Sequence, residues 1–175
     1  MIKKLNNTIK IISNTLLAVI VLLIILLYGL KVIGLTPYTV LSGSMESVYP
    51  TGSVIYVKKV DTNTLKNGDV ITFYSNGNVV ATHRIVELIS DDKNSNKILY
   101  RTKGDENKIA DGTLIAPEKV IGSPLFCIPK LGYVAAYIST PEGKIVAALI
   151  CAFTLFVEII ISLLNYKLQT KNEKN

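Results

Sequence analysis

The sequence predicts a mainly β, compact antiparallel domain that is flanked by an N-terminal and a C-terminal transmembrane helix. Two observations lead to this prediction. Long apolar runs lie near both ends of the 175-residue chain, and the segment between them alternates short β-branched and aromatic runs with turn residues. With 49% hydrophobic and 18% charged residues, the chain is too apolar to be disordered, and its length favours a single sizeable domain.

The two apolar runs have the length of membrane helices. Residues 11–30 carry no charge, and 20 residues of helix extend about 30 Å, the thickness of the hydrocarbon core of a bilayer. Residues 145–166 form a second run, whose one charged side chain, Glu158, indicates either a contact with a partner helix or a place near the end of the span. The first run could instead be a cleavable signal sequence, but its length favours a retained anchor.

Lysines on the outer flanks of the two runs predict the orientation of the chain. Residues 1–10 and residues 167–175 each carry three of them: Lys3, Lys4, Lys10, Lys167, Lys171 and Lys174. Because positive flanks stay in the cytoplasm, we expect both termini there and residues 31–143 outside it, in the cell membrane of a prokaryote.

The net charge of +6 does not indicate a nucleic-acid partner. Residues 36–143 contain 11 basic and 11 acidic side chains, so the whole excess lies in and around the apolar runs. A basic face for DNA or RNA is therefore not expected. The expected partner of these flanks is the lipid bilayer.

The middle segment is rich in Val, Ile, Thr, Tyr and Phe. These residue types are typical of strands, which we predict at residues 39–42, 53–60, 69–74, 79–89 and 98–102. Turn signals separate them at Asn67-Gly68, at Ser75-Asn76-Gly77-Asn78 and over residues 91–96. The later prolines at 117, 124 and 129 predict an extended, irregular return towards the membrane, with residues 131–138 near the interface.

Metal and cofactor chemistry is not expected. The chain has one histidine, His83, and Cys127 is the one thiol of the middle segment, since Cys151 lies in the second apolar run. Zinc sites need three or four protein ligands, and no Gly-rich phosphate loop or paired-cysteine motif occurs. Neither a metal, a cofactor nor an internal disulfide is therefore predicted.

A serine mechanism fits the residues better. Ser44 follows a glycine at the end of a short apolar strand, where backbone amides can face an oxyanion. A serine hydroxyl needs a base to take its proton, which His83 can supply, and a carboxylate to orient that base. Candidate carboxylates lie in the polar stretch of residues 103–112.

Four ordered motifs resemble the boxes of type I signal peptidases. They are Ser42-Gly43-Ser44-Met45-Glu46, Gly68-Asp69-Val70-Ile71, Thr82-His83-Arg84-Ile85-Val86, and Thr102-Lys103-Gly104-Asp105-x-Asn107 with Asp111. More narrowly, they are similar to the Ser-His type of peptidase family S26, which the endoplasmic reticulum, archaea and the SipW-like enzymes of Gram-positive spore formers share. The resemblance implies the signal peptidase type of antiparallel β domain.

Site roles follow from this resemblance. It implies that Ser44 is the nucleophile, that His83 is the general base, and that Asp111 is the acidic member of the triad. It also implies that Asp105 is a second acidic group of the catalytic site. The Ser42 hydroxyl would join the Ser44 amide in the oxyanion hole.

The implied activity is a membrane-anchored serine endopeptidase that removes signal peptides from exported preproteins after small residues. Accessory membrane subunits are possible partners, as in the complex of the endoplasmic reticulum. Ser44 lies 14 residues beyond Leu30, so even an extended chain would keep the site within about 45 to 50 Å of the bilayer. We expect the substrate to bind as an added strand with small side chains in shallow pockets.

Two alternatives remain open. In the first, Lys103 or Lys58 is the base and His83 is structural. A histidine base predicts loss of activity as the pH falls through about 6 to 7, whereas a lysine base predicts a basic optimum. In the second, the protein is an inactive membrane-anchored β module that binds a partner as a scaffold. The motif also departs from the usual Ser-Met-Glu-Pro, because the proline comes only at Pro50.

Overall fold

The computed structural model describes residues 2–75, 77, 79–90 and 97–172. The predicted turn at residues 91–96, Asn76 and Asn78 of the preceding turn, and the last three residues of the predicted tail lie outside the described residues. The chain forms two compact units. One is Leu30–Ala136, and the other combines the segments before Leu30 and after Ala136.

Six strands and three α-helices account for most of the described chain. The strands are β1 Leu35–Thr39, β2 Val54–Lys58, β3 Val70–Tyr74, β4 Val80–Ser90, β5 Ile98–Lys103 and β6 Val120–Ile128. The helices are α1 Ile2–Leu27, α2 Leu131–Ser139 and α3 Pro141–Asn172. The strands form one sheet in the order β1-β2-β6-β3-β4-β5 with every pairing antiparallel, which confirms the predicted fold class.

The first strand lies earlier in the chain than residues 39–42, where we predicted it. β1 ends at Thr39 and contains Pro37, which stands opposite Tyr56 of β2. A proline is tolerated here because β1 is at the edge of the sheet, where its missing N–H can face away from the neighbour. Val40 is still hydrogen-bonded to Ser53 and Gly52, and residues 41–42 then lead away towards Ser44.

The segment after Pro117 is extended, as predicted, but it is a strand of the sheet and not an irregular return towards the membrane. β6 lies between β2 and β3, and α2 follows it. The pattern was hidden because Pro124 and Gly122 are poor strand formers, and because the register shifts beside each of them. Gly122 is required for space, since a Cβ there would lie 2.1 Å from the carbonyl oxygen of Lys58.

β6 has a central position in the sheet and joins its two halves. β1 and β2 lie on one side of it, and β3, β4 and β5 lie on the other. On the second side, a core of buried apolar side chains holds the strands together: Ile71, Phe73, Ile85, Tyr100 and Ile115. On the first side, Tyr56 stacks on Phe126 of β6 with ring centroids 4.6 Å apart. β6 therefore joins two groups of strands that both contribute to the site described below.

In the other unit, α1 and α3 pack against each other. The stretches Asn7–Leu27 and Pro141–Asn165 are long and apolar enough to cross a membrane. α1 ends three residues before the end of the predicted span, because a 3₁₀ turn begins at Gly29. α3 begins four residues before its predicted span, because Pro141 suits the first position of a helix and Thr140 Oγ1 accepts a capping hydrogen bond from the Gly143 amide at 3.0 Å.

Candidate active site

Ser44 lies in a 3₁₀ turn, Gly43–Met45, on the loop between β1 and β2. The turn is closed by a 3.1 Å hydrogen bond from the Glu46 amide to the Gly43 carbonyl, and the Met45 side chain is buried beneath it. The first N–H groups of a helical turn have no intrahelical acceptor. The Ser44 amide is therefore available to an oxygen outside the turn.

The loop after Ser44 is closed by Glu46, although no proline follows that residue directly. Glu46 Oε2 accepts hydrogen bonds from the amide of Thr51 at 3.0 Å and from its hydroxyl at 2.6 Å. These two bonds, with the hydroxyl contributing more, lower the pKa of the Glu46 carboxyl below its ordinary value. The Glu46 carboxylate thus links the two ends of the loop that contains Pro50, and it stabilises the turn that carries Ser44.

His83 projects from β4 and contacts two of the residues singled out from the sequence. Its Nε2 lies 3.2 Å from Ser44 Oγ, and its Nδ1 lies 2.6 Å from Asp111 Oδ2. Only 14% of the side chain is exposed, and the ring meets Phe73 edge to face at a centroid distance of 6.1 Å. Because an ionised carboxylate only accepts hydrogen bonds, Nδ1 carries the proton in the neutral ring and Nε2 offers its lone pair to Ser44.

Asp111 reaches His83 from the loop that follows β5. Its amide donates to the carbonyl of Thr102 at 2.8 Å, and its Oδ2 accepts a second hydrogen bond, from the Thr102 hydroxyl, at 2.6 Å. The arrangement Ser44–His83–Asp111 is a continuous series of hydrogen bonds. Such a series can move the hydroxyl proton to the imidazole and stabilise the cation that forms.

Asp105 has a different partner. Its two carboxylate oxygens accept hydrogen bonds from Nε and Nη2 of Arg84, at 2.9 and 2.6 Å. This bidentate contact lowers the pKa of the Asp105 carboxyl and raises that of the Arg84 guanidinium. Arg84 also donates to the carbonyl of Gly68 at 2.9 Å, and the Asp105 amide contacts the Met45 sulfur at 3.3 Å. Asp105 therefore connects β4 to the turn that carries Ser44.

The remaining sequence candidates fall into two groups. Ser42 Oγ is 3.4 Å from Ser44 Oγ, on the same face of the loop. Within the described part of the chain, the Ser44 hydroxyl has His83 and Ser42 as its hydrogen-bond partners. Lys58 and Lys103 are not among these partners. The structure thus brings Ser42, Ser44, His83 and Asp111 together.

Three contacts at the site had no role in the sequence reasoning. They are the Thr102 hydroxyl on Asp111, the Arg84 guanidinium on Asp105, and the Glu106 amide, which donates to the Ser44 carbonyl at 3.0 Å. The sequence motifs could have pointed to these three residues, because each lies in or within two positions of a motif that carries a proposed site residue. The pairings themselves depend on the tertiary fold.

A groove of about 450 Å³ adjoins Ser44. Its lining comes partly from the end of β1 and the chain that follows it, and partly from the beginning of β4. The lining residues are Tyr38, Thr39, Val40, Leu41, Ser42, Ser44, Met45, Tyr49, Ile55, Val79, Val80 and Thr82. Burial within this lining raises the pKa of the Tyr49 phenol. Apart from the hydroxyl groups, the lining is mostly apolar, which suits uncharged side chains.

An antiparallel β domain that aligns a serine, a histidine and a carboxylate in this way has the site layout of the serine hydrolases. The model of the family described as signal peptidase, peptidase S26, matches residues 12–126. The chain belongs to this family.

Curated relatives agree with the family assignment. The chain is 42% identical over 123 residues to signal peptidase I W of Bacillus subtilis, covering 63% of each protein. It is 34% identical over 109 residues to the signal peptidase complex catalytic subunit SEC11 of Scheffersomyces stipitis, covering 57% of this chain and 63% of the relative. The chain thus spans somewhat less than two thirds of the length of these relatives.

Proposed function

We propose that the protein is a membrane-bound serine endopeptidase that cleaves N-terminal signal peptides from exported preproteins after small residues. The observation that carries this proposal is the series Ser44 Oγ, His83 Nε2, His83 Nδ1 and Asp111 Oδ2, joined at 3.2 and 2.6 Å. Family membership and the names of the relatives support the substrate class.

In the proposed acylation step, His83 Nε2 takes the proton of the Ser44 hydroxyl as Oγ attacks the scissile carbonyl carbon. The imidazolium that forms is stabilised by Asp111. The carbonyl oxygen becomes an oxyanion that accepts hydrogen bonds from the Ser44 amide and the Ser42 hydroxyl. Collapse of this intermediate breaks the C–N bond, and Nε2 returns the proton to the leaving amine.

Deacylation repeats these roles with water. His83 removes a proton from a water molecule, which attacks the ester carbonyl and releases the signal peptide with a carboxylate end. The second proton transfer regenerates the Ser44 hydroxyl. No metal or cofactor takes part in this scheme, and the site needs only its own side chains and water.

The groove beside Ser44 supports binding of an extended substrate. Residues 38–42, at the end of β1 and just after it, line this groove, and β1 is an edge strand, so a peptide can add there as a further strand. Alternate side chains of such a strand point the same way. We propose that the residues first and third before the cut face the apolar lining, where only small side chains such as Ala fit.

We propose that the two apolar helices anchor the protein in the cell membrane, with both termini in the cytoplasm and the β domain outside it. The flanking lysines support this orientation. The partners are then the bilayer and the signal peptides of preproteins. Relatives named as catalytic subunits of a signal peptidase complex make accessory membrane subunits a further candidate. Protease protection of tagged termini in sealed vesicles tests the orientation.

The experiment that tests the function is cleavage of a purified preprotein by the full chain in detergent with added lipid. We expect one cut after a small residue, identified by mass spectrometry, and none with Ser44→Ala. In parallel, His83→Ala should abolish the cut while Lys58→Ala and Lys103→Ala keep it. Activity retained in His83→Ala would refute the histidine base, and no cut by folded wild type would favour a missing subunit or a scaffold.

A further inference from the structure

Thr102 touches the carboxylate that orients His83, although it lies outside the Ser44–His83–Asp111 series. Its hydroxyl donates to Asp111 Oδ2 at 2.6 Å, the same oxygen that contacts His83 Nδ1 at 2.6 Å. One carboxylate oxygen has two lone pairs, and here two donors approach it at equal length. The position of Oδ2 is thus defined by one group that reacts and one that does not.

Thr102 is well placed to restrict the movement of the Asp111 carboxylate. It is fully buried in β5 and stands opposite Ile85 of β4. His83 precedes Ile85 by two residues, so the side chains of His83 and Thr102 lie on the same face of neighbouring strands. A second link, from the Asp111 amide to the Thr102 carbonyl at 2.8 Å, ties the main chains together.

Asp111, by contrast, has room to turn away from the imidazole. About 26% of its side chain is exposed, and it lines a cavity of about 160 Å³ together with Phe73 and Thr113. Water in this space can solvate a carboxylate as well as the imidazole can. A carboxylate with a hydrated alternative needs a second anchor if it is to face Nδ1 for most of the time.

We propose that Thr102 is a positioning residue, whose hydroxyl holds Asp111 Oδ2 against His83 Nδ1. This inference rests on the proposed peptidase function for its kinetic consequence but not for its structural one. Thr102 touches neither the substrate nor a reacting atom. Its effect passes through Asp111 to the orientation of the imidazole, and from there to the proton transfer from Ser44.

The kinetic test compares three substitutions in the full chain. Thr102→Val removes the hydroxyl at nearly constant volume, and we expect kcat to fall about 10- to 100-fold, the range for loss of a hydrogen bond to a charged group, with KM unchanged. Thr102→Ser keeps the hydroxyl and should restore kcat. Thr72→Val is the matched control, because Thr72 is equally buried and its hydroxyl bonds Thr82 at 2.8 Å, away from Asp111.

A second readout is independent of catalysis. His83 is the one histidine in the chain, so its Nδ1 proton gives a single imidazole resonance without assignment. In the Ser44→Ala background, we expect Thr102→Val to move this resonance upfield and to speed its exchange with water. Thr102→Ser and Thr72→Val should leave it in place. If Thr102→Val does not fold, Thr102→Ala removes the same hydroxyl with less bulk.

The outcomes separate the two proposals. An unchanged resonance in Thr102→Val, or a kcat as low in Thr72→Val as in Thr102→Val, would overturn the positioning role. Absence of cleavage by wild type, with a resonance that still depends on the Thr102 hydroxyl, would count against peptidase activity of the chain on its own and leave the positioning role standing.

Discussion

A Cβ atom on Gly104 would lie 2.7 Å from the carbonyl oxygen of Ser44 and 2.9 Å from its Cβ. Contacts below 3.0 Å are essentially never made by real Cβ atoms, and the nearest of these atoms, the Ser44 carbonyl oxygen, belongs to the backbone and cannot swing away. Two residues further on, the Glu106 amide donates to the same Ser44 carbonyl at 3.0 Å. The turn after β5 therefore packs against the main chain of Ser44 and donates a hydrogen bond to it.

Gly104→Ala should abolish most of the activity, because the added methyl group must displace Ser44 relative to His83. A misplacement of about 1 Å can lower a rate about 100-fold, so we expect at least that loss in kcat. Gly112→Ala is the control, since a Cβ there meets nothing within 4 Å. Steady-state cleavage of a preprotein by the two variants, with thermal unfolding as a check on the fold, decides the matter. Equal activities would contradict the contact.

Much of the fold could be predicted from local pattern. β2 to β5 stand out because their runs of Val, Ile, Thr and Tyr are long and bounded by turn residues. β6 could not be predicted, because Pro124 and Gly122 break the pattern and are accommodated by register shifts against two different strands. Those shifts depend on residues more than 40 positions away in the chain, which a local pattern does not contain.

The candidate site, too, could be predicted from the sequence only in part. Ser44 and His83 could be proposed from motifs, because a serine needs a base and the chain has one histidine. The residues alone do not choose between Asp105 and Asp111 for the contact with His83, since both lie in one short polar loop, and only the family resemblance favours Asp111. Arg84 decides between them, because it binds both oxygens of Asp105. That pairing follows from the alignment of β4 with β5.

Asp111→Asn should lower kcat about 10³- to 10⁴-fold and leave KM nearly unchanged. An amide that donates to Nδ1 favours the wrong tautomer of the imidazole, so Nε2 carries a proton and cannot accept one from Ser44. Single-turnover cleavage assays in the full chain measure the effect. Asp105→Asn is the comparison, and we expect it to be at least tenfold more active than Asp111→Asn, since its carboxylate contacts Arg84. The reverse order would contradict the geometry.

The Arg84–Asp105 pair should contribute to stability in a pH-dependent way. The pKa of Asp105 is lower in the folded protein than its ordinary value of 3.8. A lowered pKa means that the folded state releases this proton more readily, so the contribution is present above about pH 4 and is lost as the pH falls below it. We expect Asp105→Asn to cost about 1 kcal/mol at pH 7 and progressively less as the pH falls from about 4 towards the lowered pKa of the carboxyl, as measured by thermal unfolding at each pH.

Glu87→Gln is the matched control for that experiment. Glu87 bonds Arg101 at 2.8 Å, but 56% of its side chain is exposed, against 20% for Asp105. Exposed ion pairs are screened by water and contribute little. A pH dependence that is as large in Glu87→Gln as in Asp105→Asn would mean that the general charge of the domain, and not this pair, governs the response to acid.

The groove beside Ser44 should set the size of the residue that precedes the cut. Val80 lies half-buried at the beginning of β4 and lines the groove together with the segment that leaves β1. Val80→Phe would fill part of the groove, and we expect kcat/KM for a preprotein with Ala at the first and third positions to fall about tenfold, mostly through KM, since the Ser44–His83 contact is untouched.

Leu88→Phe adds bulk to an exposed position of the same strand outside the groove, and it should leave cleavage unchanged. With wild-type enzyme, changing the substrate Ala at either position to Leu should abolish cleavage, because in the proposed binding mode only small side chains fit against the apolar lining. The Val80→Phe variant and the altered substrates both test whether the residues before the cut bind in this groove. Normal cleavage by Val80→Phe together with cleavage after Leu would mean that the substrate does not bind in this groove.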